Sequence, residues 1–388
     1  MRALTIGLYL IFGLPGQTET TVDQAEQAFR SGNLDQAQTL ARQVVAKDSG
    51  SVPAHMILGV IAAQQQQWDA ANLHFGAVVR LAPSNPHGYF YLGQANIYQK
   101  NWTRAVYYLT RALERKYPDH ERLIVELAFA ENEAGRPKQA LATLEKVRLP
   151  VQGPLAAQFH AVTAFVQEKL HQPTAAIEAI RRAIDLDNSN PQYREFLISS
   201  LISSDQVNTA MEEAIHAQRK FPDYPDIQFL LGVASYYITE SHFTKLALRN
   251  LREIEPDGAR ILLIEGMLHR KQGQTEDATK AFTEAAKRGV PDAHLLLGIL
   301  LKEAGDYTGA EREYRVAERL NPRNGQMLLE LGKLLLTRGN VNEALPRLLK
   351  AEQYMPTNSA VHYQLGLAYA RLGQKAKAEH HLKISRQP

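Results

Sequence analysis

Residues 291–324 read PDAHLLLGILLKEAGDYTGAEREYRVAERLNPRN. Apolar residues recur at helical spacing in two stretches of this segment, 292–304 and 308–320. Gly305 follows the first stretch, where glycine suits a helix C-terminus, and Pro322 stops the second. The segment therefore predicts two α-helices joined by a short turn.

The same pattern recurs along the chain, and its most regular mark is a leucine-glycine pair. The pairs end at Gly59, Gly93, Gly232, Gly298, Gly332 and Gly366, and neighbouring copies are 34 residues apart. A small residue follows each glycine by twelve positions, at Ala71, Ala105, Thr244, Ala310, Ala344 and Ala378. Because small residues let two helix axes approach closely, these positions predict that the two helices of one repeat face each other. The register gives eleven repeats, which start near residues 18, 52, 86, 121, 157, 191, 225, 259, 291, 325 and 359.

This repeat resembles the tetratricopeptide repeat, a helix-turn-helix unit of 34 residues with leucine-glycine in its first helix and alanine in its second. The ninth repeat matches that pattern at Leu297, Gly298, Gly305, Tyr307, Ala310, Tyr314, Ala317 and Pro322. The resemblance implies an all-α fold, a right-handed superhelical solenoid in which each helix pair packs against its neighbours. Departures are local. Ile198 replaces the small residue of the sixth repeat, Thr239 replaces the turn glycine of the seventh, and the junction over residues 148–155 is long.

The composition excludes several classes of protein. Lysine and arginine number 44 against 41 acidic residues, and a formal charge of +3 is too balanced for binding nucleic acid through bulk charge. The absence of cysteine excludes disulfide frameworks, thiolate zinc sites and cysteine nucleophiles. Beyond the N-terminus no apolar run is long enough for a helix that spans a bilayer, so we expect no membrane span in the mature chain.

Residues 1–17 have the layout of a secretory signal peptide. Arg2 precedes an apolar stretch over residues 3–14, and Pro15 and Gly16 end it. Cleavage of this segment would make the chain periplasmic or extracellular, and we expect an exported protein of a bacterial envelope. Two alternatives stay open: a hydrophobic first helix of a cytoplasmic protein, and an uncleaved membrane anchor.

The chain contains none of the compact motifs that mark catalytic or phosphate-binding sites, such as G-x-S-x-G, H-E-x-x-H or the P-loop. We therefore predict no catalytic residue, no cofactor and no enzyme activity. His380 and His381 stand beside Glu379. Since adjacent helical residues point about 100° apart, we interpret them as a solvated helix face and predict no metal site.

The resemblance also implies where partners bind, because the first helix of each tetratricopeptide repeat lines the concave surface. Positions five, nine, twelve and thirteen of each repeat should face this groove. The candidate contacts for a protein or peptide are the aromatic residues Phe90, Tyr98, Phe129, Phe165, Phe229, Tyr236, Tyr237 and Tyr363, and the basic residues Arg270, Lys271, Lys302, Lys333 and Arg371. For the four phenylalanines the core is an equal alternative, whereas tyrosine suits an interface because it combines area with a polar tip. The basic residues indicate an acidic partner segment.

The leading hypothesis is a non-catalytic scaffold that binds partner proteins or peptides in the concave groove. Two alternatives remain open. One is a structural array that assembles with itself into homo-oligomers, and the other is an accessory or regulatory subunit of an envelope enzyme complex.

Overall fold

A computed structural model describes residues 20–147, 153–238 and 241–386. The predicted signal segment, Pro150 of the long junction and Thr239 lie outside the described residues. The chain divides into two compact parts, Met1–Leu170 and His171–Pro388, hereafter the N-terminal part and the C-terminal part.

The described residues form 22 α-helices and no β-strand. The N-terminal part contains α1 (Thr20–Arg30), α2 (Leu34–Lys47), α3 (Val52–Gln64), α4 (Trp68–Leu81), α5 (Pro86–Tyr98), α6 (Trp102–Glu114), α7 (His120–Glu133), α8 (Pro137–Leu144) and α9 (Pro154–Lys169). The C-terminal part contains α10 (Pro173–Leu186), α11 (Pro191–Ser203), α12 (Val207–Lys220), α13 (Pro225–Tyr237), α14 (Ser241–Ile254), α15 (Ala259–Lys271), α16 (Thr275–Lys287), α17 (Pro291–Glu303), α18 (Tyr307–Leu320), α19 (Gly325–Thr337), α20 (Val341–Tyr354), α21 (Ser359–Arg371) and α22 (Lys375–Ile384).

Odd-numbered helices are the first helices of the predicted repeats, and even-numbered helices are the second. From the sixth repeat onward each first helix begins at the residue that the register gives. The two helices of a repeat pack against each other in every repeat that lies within one part. The fifth repeat is divided, since α9 belongs to the N-terminal part and α10 to the C-terminal part. The prediction of an all-α repeat fold is confirmed.

Asparagine caps several of the first helices. Asn85, Asn190, Asn324 and Asn358 each precede a first helix, and each side-chain oxygen accepts a hydrogen bond from a backbone N–H two or three residues later, at 2.9–3.0 Å. An amide oxygen at this position satisfies an N–H group that has no partner inside the helix. The caps therefore fix where the repeats begin.

In several repeats the small position of the first helix admits a large side chain from the second. At Gly298 an added Cβ would lie 2.5 Å from the ring of Tyr314, a fully buried residue sixteen positions later. The sixth repeat reverses this arrangement. Ile198 is fully buried, and the residue sixteen positions later is Ala214, also fully buried. Large and small residues have exchanged helices, which explains how Ile198 fits the repeat.

First helices pack beside one another as well as against second helices. Contacts join α1 to α3, α5 to α7, α7 to α9, α11 to α13, α13 to α15 and α19 to α21. Among the described helices, no two second helices of successive repeats pack as closely. Helices that crowd together lie on the inner side of a curved array, so the first helices form the concave face of each part.

The C-terminal part also makes contacts between its early and late repeats. The Nδ2 of Asn358 donates a hydrogen bond of 2.6 Å to Oδ2 of Asp205, across 153 positions of sequence. The ring of His171 meets that of Tyr354 edge to face, with centroids 4.9 Å apart. Because these contacts join early repeats of the C-terminal part to late ones, this part is strongly curved. No described helix combines the length and apolar character needed to cross a bilayer.

Candidate functional site

Two adjacent tyrosines end α13 on the concave face of the C-terminal part. Tyr236 is buried, and its ring meets that of Tyr237 edge to face at 5.5 Å. Tyr237 is 42% exposed. The sequence made the two tyrosines equal candidates, but they differ in exposure. Of the two, only Tyr237 has a ring that a partner can contact.

Tyr236 belongs to a chain of polar contacts that crosses three successive first helices. Arg270 of α15 donates hydrogen bonds to the hydroxyl of Tyr236 and, at 2.6 Å, to Oε1 of Glu303 in α17. The ammonium group of Lys271 lies 5.4 Å from the centre of the Tyr236 ring. Burial raises the pKa of the Tyr236 hydroxyl and the arginine partly opposes this, so the phenol stays protonated near neutral pH.

The surroundings of Tyr237 are those of a residue inside a concavity. The pKa of the Tyr237 hydroxyl is raised, mainly by burial of the phenol and next by the carboxylate of Asp292. The residue as a whole is 42% exposed. Burial also raises the pKa of Asp292, whose Oδ1 accepts a hydrogen bond of 3.3 Å from Asn324. The Tyr237 ring is partly accessible to solvent and partly surrounded by protein, so it is a suitable anchor for a partner side chain.

Two of the basic candidates are held by a carboxylate of the protein itself. Lys302 donates to Oε2 of Glu330, and Lys333 donates to Oε1 of the same carboxylate at 2.8 Å. Glu330 is buried, and although desolvation alone would raise its pKa, the two ammonium groups lower it. The single carboxylate offsets one of the two positive charges, so this cluster keeps a net charge of +1 and the expectation of an acidic partner segment stays a prediction.

Lys271 and Arg371 stabilise the preceding repeat. Lys271 donates to the carbonyl of Ser235 at 3.0 Å, and Arg371 donates to the carbonyl of Leu336. Lys169 makes the same contact with the carbonyl of Asn132 at 3.0 Å in the N-terminal part. Each cation thus reaches a carbonyl in the last turn of the previous first helix, where the free carbonyls and the helix dipole favour positive charge.

The aromatic candidates of the N-terminal part contact the protein itself. Phe90 is fully buried and stacks on Tyr117, with centroids 4.1 Å apart, and Phe129 is also buried. Of the two alternatives left open for these residues, the structure places both in the core. Tyr98 is half-buried and stacks almost parallel on Trp68 at 4.2 Å. These aromatic side chains pack against the second helix of a repeat or the turn that follows it, which favours core over groove.

The remaining aromatic candidates differ in exposure. Phe165 and Phe229 are partly buried and pack against the cores of their respective parts. The guanidinium of Arg260 lies 5.5 Å from the centre of the Phe229 ring. Tyr363, in α21, is 48% exposed and stays a candidate.

The interpretation of His381 as part of a solvated face is wrong. His380 is exposed, but His381 is buried and meets His362 of α21 and Glu352 of α20. The sequence signal was a pair of histidines at the fourth and twenty-third positions of one repeat. Considering only adjacent residues missed it, because the helices bring together residues 19 positions apart.

Comparison with protein families identifies the repeat. Profiles described as "Tetratricopeptide repeat" match residues 22–72, 63–121 and 263–325, and a second profile of that description matches residues 96–163. A profile described as "TPR repeat" matches residues 332–373. Together the matches cover more than half of the chain.

Individual relatives are more distant. The chain is 21% identical to BBSome complex member bbs-4 of Caenorhabditis elegans, over 54% of this chain and 47% of that protein. It is 30% identical to the type IV pilus assembly protein PilF of Pseudomonas aeruginosa, over 33% of this chain and 53% of PilF. The chain thus spans about half the length of these relatives. A chain of the crystal structure of the APC/C hetero-tetramer Cut9-Hcn1 shares the fold, with a TM-score of 0.50 and 12% identity over 93% of this chain and 85% of that one.

Proposed function

Because the chain belongs to the tetratricopeptide repeat family, we propose that it is a non-catalytic scaffold that binds a protein or peptide along the concave face of its C-terminal part. The observation that carries this proposal is Tyr237, an exposed aromatic residue on a concave face whose other polar groups are largely paired. Tyrosine is among the residues that contribute most to binding at interfaces.

The pairing of the neighbouring charges defines the chemistry of the partner. Arg270 is bonded to Tyr236 and Glu303, and Glu330 is bonded to both of its lysines. Asp292 is among the groups that act on the Tyr237 hydroxyl. A segment that places an apolar or aromatic side chain on Tyr237 fits this surface.

The relatives support a role inside a larger assembly. Two of them are named for a complex or an assembly process, the BBSome member and the pilus assembly protein. Their names favour a chain that holds other proteins together, whether as a scaffold or as an accessory subunit. Export to a bacterial envelope is part of the proposal and rests on the layout of residues 1–17. Sequencing the N-terminus of the chain purified from its host tests export, since an intact Met1 would contradict it.

The binding proposal is tested with peptides selected on the purified chain. A random peptide library is enriched on the full chain, and the dissociation constants of the selected peptides are measured by calorimetry. Replacing Tyr237→Ala should weaken binding at least about tenfold, because removing an aromatic residue at the centre of an interface costs about 2 kcal/mol or more.

The matched control is Tyr107→Ala. Tyr107 is 53% exposed but lies on α6, a second helix, away from the concave face. Its replacement should leave the dissociation constants unchanged. Equal affinity of the wild type and the Tyr237→Ala variant for every selected peptide would contradict the proposal.

A further inference from the structure

Three potential metal ligands from three successive helices meet near the end of the chain. They are Glu352 of α20, His362 of α21 and His381 of α22. The two histidines are buried at 3% and 8% exposure, whereas the Glu352 side chain is 29% exposed. The cluster therefore has a protein-lined interior and one side that solvent can reach.

The distances within the cluster match those of a tetrahedral metal site. The Nδ1 atoms of His362 and His381 are 3.2 Å apart, and Oε1 of Glu352 lies 3.5 Å from the first and 3.6 Å from the second. Ligands about 2.0–2.1 Å from a tetrahedral zinc ion are about 3.3–3.4 Å from one another. The three atoms thus form one face of such a tetrahedron, and the fourth corner is left for water or a partner's ligand.

A backbone contact prepares His362 for this role. Its Nε2 lies 2.8 Å from the carbonyl oxygen of Pro356, and since a carbonyl only accepts, Nε2 carries the proton and donates. In the neutral ring the lone pair is then on Nδ1, the atom that faces the cluster. Metal-bound histidines characteristically donate their other N–H in this way, which fixes both tautomer and orientation.

His381 is held in place by two neighbouring rings. It meets His362 edge to edge, with the Nδ1 atoms 3.2 Å and the ring centroids 5.5 Å apart, and its ring is nearly parallel to that of Tyr369, with centroids 5.4 Å apart. The ring is thereby fixed in position with Nδ1 toward Glu352 and His362.

A second histidine pair in the same register provides an internal comparison. His55 and His74 occupy the equivalent places in α3 and α4, with Nδ1 atoms 3.0 Å apart, and Nε2 of His55 lies 3.1 Å from the carbonyl oxygen of Ser49. The residue equivalent to Glu352 is Val45, the third residue from the end of α2. A histidine pair alone is a polar contact between the two helices of a repeat. The cluster near the C-terminus differs from it by the carboxylate of Glu352.

The last helix is anchored by Leu382, which packs at Gly366, but few of its residues are fully buried. The buried residues of α22 are Ala378 and His381. A metal ion bound to α20, α21 and α22 would join the last helix to the two before it, adding stability that hydrophobic burial does not supply.

We propose that Glu352, His362 and His381 bind one zinc ion, which clamps the last helix onto the array and keeps its fourth coordination position open. A set of two histidines and one glutamate suits zinc, and the exposed side of Glu352 provides the entry path.

Calorimetric titration of the metal-free full chain with zinc chloride tests the proposal. We expect one ion per chain and a rise in melting temperature with zinc. Replacing Glu352→Val copies the arrangement that the chain already has at Val45, so it should fold, and it should weaken zinc binding at least about tenfold. The control His380→Ala should bind zinc as the wild type does, since His380 is exposed on the other side of the helix turn.

The first histidine pair allows a test in the opposite direction. Replacing Val45→Glu should complete a second cluster with His55 and His74 and raise the stoichiometry to two ions. Absence of binding to the wild type, equal affinity of the Glu352→Val variant, loss of binding in His380→Ala, or a single ion bound by Val45→Glu would each overturn the proposal.

Discussion

Glu126 and Glu330 stand at the sixth position of their repeats, one in each part of the molecule, and both are buried. Glu126 accepts two hydrogen bonds on Oε1, from Gln94 at 2.8 Å and Arg122 at 3.0 Å, while its buried Oε2 accepts none. Glu330 has a lysine on each oxygen. Burial raises the pKa of Glu126 despite the arginine, whereas the two lysines lower that of Glu330.

The same contrast holds for the aromatic residues at the thirteenth position. Tyr98 stacks on Trp68 in the N-terminal part, whereas Tyr237 is 42% exposed in the C-terminal part. The N-terminal part uses its inner positions for its own packing. The C-terminal part pairs its charges and leaves an aromatic ring open, so the two parts have different uses for one repeat pattern.

The largest expected effect on stability comes from replacing Tyr98 by alanine, compared with replacing Tyr237 by alanine in a separate variant. Tyr98→Ala should destabilise the N-terminal part by about 2–3 kcal/mol, because it removes a stacked, half-buried aromatic residue. Tyr237→Ala should cost less than about 1 kcal/mol. Both tryptophans, Trp68 and Trp102, lie in the N-terminal part, so their fluorescence during urea unfolding measures the effect of Tyr98→Ala, and hydrogen exchange of α13 measures the effect of Tyr237→Ala. Equal shifts in the two variants would remove the distinction between the parts.

A smaller effect is expected from replacing the two glutamates by glutamine. Glu330→Gln leaves two partly buried lysines without their counter-charge and should cost about 2 kcal/mol. Glu126→Gln should cost under about 1 kcal/mol, because the burial that raises the pKa of Glu126 already disfavours its charged form. Hydrogen exchange of α19 measures the local effect of Glu330→Gln, and hydrogen exchange of α7 measures that of Glu126→Gln. A larger loss for Glu126→Gln would reverse the comparison.

The smallest effect is a pair of opposite pH dependences. The folded pKa of Glu126 lies above its ordinary value of 4.5, so its contribution to stability is present below pH 4.5 and is lost as pH rises through the folded pKa. The folded pKa of Glu330 is lowered, so its contribution is present above pH 4.5 and is lost as pH falls through the folded pKa. The free energy of unfolding of each glutamine variant, subtracted from that of the wild type across pH 3–7, should slope in opposite directions. Slopes of the same sign would contradict the two assignments.

The sequence alone predicted the repeat, because the packing that defines it involves residues close together in the chain. A glycine or alanine in the first helix leaves room for a side chain sixteen residues later, as Gly298 does for Tyr314, and this rule recurs at fixed spacing. The rule is about combined volume and not about glycine itself. For that reason Ile198 with Ala214 satisfies it, although Ile198 breaks the motif.

The candidate site was harder to predict because it depends on contacts between repeats. The register placed Lys302 and Lys333 separately and did not single out Glu330, and only the folded chain brings the three side chains together. The same limit applies to Glu352, His362 and His381, which come from three helices. Exposure also differs between adjacent positions, since Tyr236 is buried and Tyr237 is 42% exposed.

The most direct test of the interaction surface places a photo-crosslinking phenylalanine derivative at position 237 and, in a second variant, at position 107. Each full-length variant is irradiated with a peptide selected on the wild-type chain, and the crosslinked residue is identified by mass spectrometry. We expect covalent capture from position 237 and none above background from position 107. Capture from position 107 alone, or equal capture from both, would contradict a binding surface on the concave face of the C-terminal part.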